Sequence, residues 1–343
     1  MLPSLRFAYN WLRYALEAIW EKPVERNGVM SNSLSMMATT GLLGYGFGED
    51  AFRYGLEMDL DFIAADAGSM DPGPHYLGEG VPFVSRKAIK RDIGLMLEGA
   101  LEKGIPMLIG SAGGSGSAPQ VALVREVIEE IAAERGYHFK MAIIHADQSK
   151  EYLHAKLKAG KIEPLGPIDD VTPQTIEQTH RVVAMMGVEP FQQALKDGAQ
   201  VVLAGRATDA SIYSAIPLMR GYDPGLVWHL SKIIECAGAV AVPKSGQDCM
   251  IGILKPDHFL VVPAHPDIRC TRMSVAAHTL YENPSPYHLI EPDGTVVTVD
   301  STYEQFDERT VKVAVSRFEH SNRYTVKLEG VRRAGYRTVF MAG

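Results

Sequence analysis

The sequence predicts an α/β protein: a mostly parallel sheet with flanking helices, followed by a smaller mixed α+β region. Three observations carry that expectation. Apolar runs of four to six residues at 60–65, 105–110, 140–144 and 200–204 stop abruptly at glycines, small hydroxyls or an acid, and a helical stretch follows each. Strand-like and helix-like stretches alternate along residues 31–244, as right-handed βαβ crossovers require. From about Ser245 the pattern changes to short strand-like runs separated by turns such as Pro292-Asp-Gly294.

Taken in order, residues 1–30 form an N-terminal extension in which Leu5, Ala8, Trp11, Leu12, Ala15, Leu16, Ile19 and Trp20 recur at helical spacing. This fits a helix packing on a domain or on a neighbouring subunit, and an amphipathic targeting or surface-binding helix is the alternative. A first strand at 34–40 feeds the glycine-rich loop 41–48, and a helix at 50–57 could be capped by Asp50. The strand at 60–65 opens into a loop rich in Gly and Pro at 66–82, and a helix at 85–103 is stopped by Gly104. The strand at 105–110 passes through the loop 111–117 into a helix at 119–135. A strand at 140–144 and a helix at 149–159 come next.

Residues 160–173 are turn-rich, and 175–186 reads equally as helix or strand. A helix at 189–197, the strand at 200–204 and helices at 210–219 and 225–239 resume the alternation. Residues 245–343 carry strand-like runs at 250–255, 258–263, 295–299, 311–317, 324–328 and 336–341, with a helix at 271–282. The last run ends the chain without a cap or closing helix. An edge strand normally has its backbone groups covered, so the expectation is a domain truncated at the C-terminus, or an edge covered by an oligomer partner.

In a parallel sheet, polar residues gathered at the carboxyl ends of strands meet helix N-termini in one crevice. The strands ending at Ala65, Gly110, Ile144 and Ala204 are therefore expected to be neighbours with a shared edge. The 343 residues, 46% of them hydrophobic, are enough for a large core. A net charge of −7 without a basic run argues against a nucleic-acid partner. Cys236, Cys249 and Cys270 are odd in number and widely spaced, which indicates neither a disulfide framework nor a zinc site and fits a cytoplasmic setting. No apolar run is long enough to span a bilayer.

Three loops carry the candidate chemistry. In Ser111-Ala-Gly-Gly-Ser-Gly-Ser117, the backbone of Gly113, Gly114 and Gly116 and the hydroxyls of Ser111 and Ser115 can converge on an anion at a helix N-terminus. The loop has neither the Walker lysine nor dinucleotide spacing, so no nucleotide cofactor motif is present. In Gly205-Arg-Ala-Thr-Asp-Ala-Ser211, Arg206 can present two parallel donors to a carboxylate or phosphate, with Asp209 orienting it or capping the next helix. In the loop from Asp66 to Tyr76, Asp66, Asp71 and His75 are candidates for proton transfer, although Asp71-Pro72-Gly73 is also an ordinary turn. A divalent metal held by some of Asp66, Asp71, His75, His145 and Asp147 is a minority reading, because those residues lack a ligand spacing.

The same loops resemble the acyclic terpene utilisation family, AtuA. The resembling segments are Gly-Ser-Met-Asp-Pro-Gly-Pro-His-Tyr-Leu-Gly at 68–78, the run 105–117, the run 197–211, Tyr-Thr-Val-Lys-Leu-Glu-Gly at 324–330 and Gly-Tyr-Arg-Thr at 335–338. Spread in this way, the resemblance covers most of the chain. The glycine loop 41–48 departs from the family's residue order, and many relatives continue into a small ferredoxin-like domain. The resemblance implies a cytoplasmic protein in the degradation of acyclic terpenoid or other branched carboxylic acids, as free carboxylates or acyl-CoA thioesters, with some relatives labelled lyases. Together the loops and the resemblance lead to a hydratase- or lyase-type enzyme working by proton transfer. The alternative is a non-catalytic ligand-binding or assembly subunit.

Overall fold

The computed structural model describes residues 33–68, 72–244, 248–281, 285 and 287–335. The N-terminal extension, Asp71 and the run 336–341 lie outside the described residues.

The elements follow the apolar runs closely. Strand β1 (Leu34–Ala38) leads through the glycine loop to helix α1 (Glu49–Glu57), β2 (Phe62–Asp66), the short α2 (His75–Glu79) and α3 (Arg86–Lys103). Gly48 rather than Asp50 stands at the N-cap of α1, and the Asp50 carboxylate instead accepts from the adjacent Ala51 N–H. At α3 the Ser85 hydroxyl accepts from Ala88 N, and Gly104 closes the helix in the left-handed conformation, φ 65°. Strand β3 (Met107–Gly110) precedes α4 (Ala118–Arg135), then β4 (Met141–Ile144) and α5 (Lys150–Lys158). The ambiguous stretch resolves into both alternatives, α6 (Pro173–Gln178) followed directly by β5 (Thr179–Ala184). Helix α7 (Glu189–Lys196), β6 (Val201–Ala204), α8 (Ser211–Met219) and α9 (Pro224–Ile234) complete the alternating part.

The remaining elements are β7 (Met250–Leu254), β8 (His258–Pro263), α10 (Arg272–Thr279), β9 (His288–Glu291), β10 (Gly294–Val297), β11 (Thr302–Gln305), β12 (Val311–Ala314), β13 (Arg317–His320) and β14 (Leu328–Arg332). The helix expected at 225–239 ends at Ile234, β9 and β11 stand where no strand was expected, and two further differences have a direct cause. The run 311–317 is broken between β12 and β13 by Val315, whose φ of 64° no strand can accommodate. The run 324–328 forms a strand only from Leu328 onward, where it pairs with β5.

Among the described residues, nine strands form one sheet in the order β11-β12-β8-β7-β1-β2-β3-β6-β4. The half from β1 to β4 is parallel, and β7, β8, β12 and β11 extend it as antiparallel strands. Smaller antiparallel groups, β13-β10-β9 and β14-β5, stand apart from it. The predicted α/β fold, with its parallel sheet, flanking helices and smaller antiparallel C-terminal part, is therefore present. Alternate residues of each parallel strand feed two cores. Met36, Phe62, Leu108 and Val202 pack with α7, α8 and α9, while Met37, Ile63, Ile109 and Leu203 pack with α1, α3 and α4. This burial on both faces explains why the strands read as continuous apolar runs.

The pairing of Asp66 with Gly110 and of Ile144 with Ala204 aligns the carboxyl ends of β2, β3, β6 and β4. The shared edge expected from the sequence is there, and the polar loops meet on it.

Candidate functional site

The 111–117 and 205–211 loops are joined by the backbone before any side chain is considered. Ser111 N donates to Gly205 O at 2.9 Å and Ala112 N to Ala204 O at 3.0 Å. Ser111 adopts φ 51°, a conformation that non-glycine residues avoid and that accumulates at functional sites. Its buried hydroxyl accepts from Ala207 N at 3.2 Å and from Arg206 Nη1 at 3.3 Å. A Cβ at Gly116 would stand 2.1 Å from Arg206 N, and one at Gly68 would stand 2.6 Å from Arg206 Nη1. Glycine is thus required on both sides of Arg206 by close approach.

Arg206 is almost fully buried and does present the two parallel donors that the sequence suggested. The group receiving them is Glu329 of β14, with Nε to Oε2 at 2.8 Å and Nη2 to Oε1 at 3.3 Å. Asp209 lies 3.6 Å from Nη1. Burial opposes the guanidinium charge, but Asp209, Glu329 and Asp66 together hold its pKa above the ordinary value. Glu329 stays below the usual carboxylate range: its burial is outweighed by Arg206, helped by Lys327.

The N-terminus of α4 also already holds a carboxylate. Asp147 Oδ2 accepts from Ala118 N at 2.7 Å, so Asp147 serves α4 while Ser149 caps α5. Within the preceding loop, Gly113, Gly114 and Gly116 take φ of 75°, 113° and 66°. Gln120 pins the loop by donating to Gly113 O at 3.0 Å. Ser115 is buried with its hydroxyl unpartnered among the described residues.

Around Arg206 lies a buried acidic cluster. Asp66, at the end of β2, is 4% exposed, and its Oδ1 has no hydrogen-bond partner among the described residues. Burial first, and then Asp209, lift its pKa well above the carboxylate range against the pull of Arg206. Asp209 Oδ1, Thr208 Oγ1 and Glu291 Oε2 are likewise sealed from solvent without a hydrogen bond. Glu291, at the end of β9, has its pKa pushed up to about 8 by burial and by Glu235 and Asp209, with Lys232 and the Thr208 hydroxyl opposing. At the C-terminal end of α9, Lys232 and the capping residue Glu235 form a buried ion pair.

The structure therefore brings together Asp66, Ser111, Arg206 and Asp209 from the sequence-predicted set, with the glycines of 111–117 packed beside them. His75 is exposed on the first turn of α2, its ring edge-on to Tyr76 at 5.3 Å. His145 is exposed at the end of β4. Among the described residues, no group of three or more His, Cys, Asp or Glu is arranged to hold a metal ion.

Sequence reasoning missed Glu329, Glu291, Lys232 and Glu235. The last two had a signal: they are charged residues three apart at the end of α9, a helix buried from Gly225 to Ile234. Glu329 lies in the 324–330 segment of the resemblance, where no role was assigned to it, and Glu291 had no signal, because only tertiary structure brings β14 and β9 to this edge.

Residues 86–243 match the family described as Acyclic terpene utilisation family protein AtuA. That range contains the segments 105–117 and 197–211 of the resemblance, and the segments 68–78, 324–330 and 335–338 lie outside it. No curated protein and no solved structure matches the chain.

Proposed function

Because residues 86–243 match the acyclic terpene utilisation AtuA family, we propose that the chain is an enzyme acting on acyclic terpenoid or other branched carboxylic acids or their CoA thioesters. Its reaction is a proton-transfer step of hydratase or lyase type. One observation carries the reading. Asp66 is a buried carboxyl with an unpartnered oxygen, placed where the polar loops meet at the carboxyl edge of the parallel strands. Carboxyls raised toward neutrality by burial are efficient proton carriers, because they take and return a proton at comparable cost. Its raised pKa makes the ionised form of Asp66 a stronger base than a solvated carboxylate.

Arg206 then acts mainly as an organiser. Held by Glu329, it supports Asp209 and fixes the Ser111 loop through the Ser111 hydroxyl. His75 and Asp71 stand in this reading as candidates from the sequence alone. The rival reading, a non-catalytic ligand-binding or assembly subunit, draws on the saturation of Arg206 by the chain's own carboxylate and on the exposure of His75.

The deciding experiment profiles the purified full chain against branched acyclic acids and their CoA esters, with divalent metal present and absent. The wild type is expected to turn over at least one of them, and Asp66→Asn to lower kcat by about a hundredfold or more. Equal turnover by Asp66→Asn removes Asp66 from the mechanism. Binding without turnover across the panel favours the subunit reading.

A further inference from the structure

The glycine-rich loop 41–48 follows β1 at the carboxyl edge of the parallel strands, and it holds a tyrosine in a fixed place there. One oxygen of the buried Asp92 carboxylate accepts from Gly44 N at 2.7 Å and from Gly46 N at 3.1 Å, and Tyr45 N donates to Leu42 O at 2.9 Å. Gly44 and Gly46 reach this arrangement at φ 104° and 90°, which glycine alone adopts readily. The backbone on both sides of Tyr45 is thus pinned, yet Tyr45 itself is 57% exposed. Its ring meets that of Phe83 at 6.1 Å, and Phe83 meets Tyr76 of α2 at 5.2 Å, the last two being half-buried. Each ring comes from a segment tied to the Asp66 region. Leu43 N donates to Asp66 O at 2.9 Å, Phe83 N donates to Gly113 O at 3.3 Å, and α2 is the next element after β2, which ends at Asp66.

We propose that Tyr45, Phe83 and Tyr76 hold the hydrocarbon chain of the substrate and set a preference for long branched chains over short ones. This specificity rests on the reading of the Asp66 region as the substrate site. Exposed aromatic rings held rigidly side by side mark a contact surface, and the size and shape of this one select the occupant. Three rings, two of them half-buried, offer well under the roughly 800 Å² per partner that a stable protein interface buries, so a second copy of the chain is not what covers them. Neighbouring rings meet at 59° and 84°, which leaves no parallel pair of faces to sandwich a flat nucleobase. A flexible hydrocarbon chain needs only apolar surface, and each methylene it buries there is worth a factor of about four in affinity.

Calorimetric titration of the full chain tests the proposal without requiring turnover. The probes are two free acids that differ in the length of the branched chain, 3-methylbutyrate and 3,7-dimethyloctanoate. The longer acid is expected to bind at least about tenfold tighter, since part of its added chain lies on the rings. Tyr45→Ala and Phe83→Ala are each expected to reduce that ratio to within about threefold, while Tyr45→Phe, which keeps the ring, retains it. Tyr45 is exposed enough for its truncation to leave the fold intact, and the melting temperature of each variant checks this. A wild-type ratio below tenfold, a ratio that either alanine variant preserves, a ratio that Tyr45→Phe loses, or no binding of either acid each overturns the proposal. A dimer dissociated by Tyr45→Ala, or binding of free CoA weakened by it, with the ratio of the two acids preserved, assigns the strip to a second copy or to a nucleobase instead. A chain-length preference without turnover keeps this inference and removes the enzymatic reading. Turnover that depends on Asp66 without a chain-length preference does the reverse.

Discussion

Arg206 shows how one residue can be legible in a sequence while its role is not. Its place after an apolar strand, between glycines, marks it as a group presented at a sheet edge, and the structure puts it there with its fork filled by Glu329. A stability consequence follows. Glu329→Gln leaves a buried guanidinium short of one counter-charge and is expected to destabilise the fold by about 3 kcal/mol, read as a lower midpoint in urea unfolding. An unchanged midpoint would mean that Asp209 and Asp66 suffice alone. Gly116→Ala is expected to be worse than an ordinary glycine substitution, because φ 66° and a Cβ 2.1 Å from Arg206 N penalise it twice. The measurement is the yield of folded protein and its melting temperature, and a variant with wild-type values would contradict the packing described.

At the scale of elements, the helices were the easiest to read, because their ends carry chemical punctuation. Ser85 and Gly104 bracket α3, and Ser117 and Gly136 bracket α4. The Ser85 hydroxyl accepts from Ala88 N at 3.2 Å, so Ser85→Ala should cost about 1 kcal/mol, measured against wild type by denaturant titration. The elements misread include a short hairpin strand, a strand set by a distant partner and a run broken by one residue's backbone. Strand β9 has four residues and gains its identity from β10, with which the Pro292-Asp293 turn pairs it. Strand β14 begins at Leu328 because β5, more than 140 positions earlier in the register, sets its start. Val315 is a β-branched residue at positive φ, which no periodicity argument anticipates, and it splits one apolar run into two strands.

For the molecule as a whole, the buried carboxyls set a direction for stability with pH. Asp66, Asp248 and Glu291 are raised in the fold, Asp248 to about 6 and Glu291 to about 8, chiefly by burial. The folded state therefore holds protons that the unfolded chain has released. The stabilisation is full below the ordinary carboxylate range and is lost as pH rises, through about 6 for Asp248 and about 8 for Glu291. Urea midpoints are expected to fall between pH 5 and pH 9, and Glu291→Gln should flatten the upper part of that fall. A variant with the wild-type slope would show that Glu291 is ionised in the native protein. Sequence alone determined the α/β class, the parallel strands and the edge on which Asp66, Ser111 and Arg206 meet, because burial on both faces and loop chemistry are local properties of the chain. Tertiary structure alone decided which carboxylates face which cations. Glu329 reaches Arg206 through the pairing of β14 with β5, far apart in the chain, while Glu291 arrives with the small antiparallel sheet, and neither placement follows from the residues that flank it.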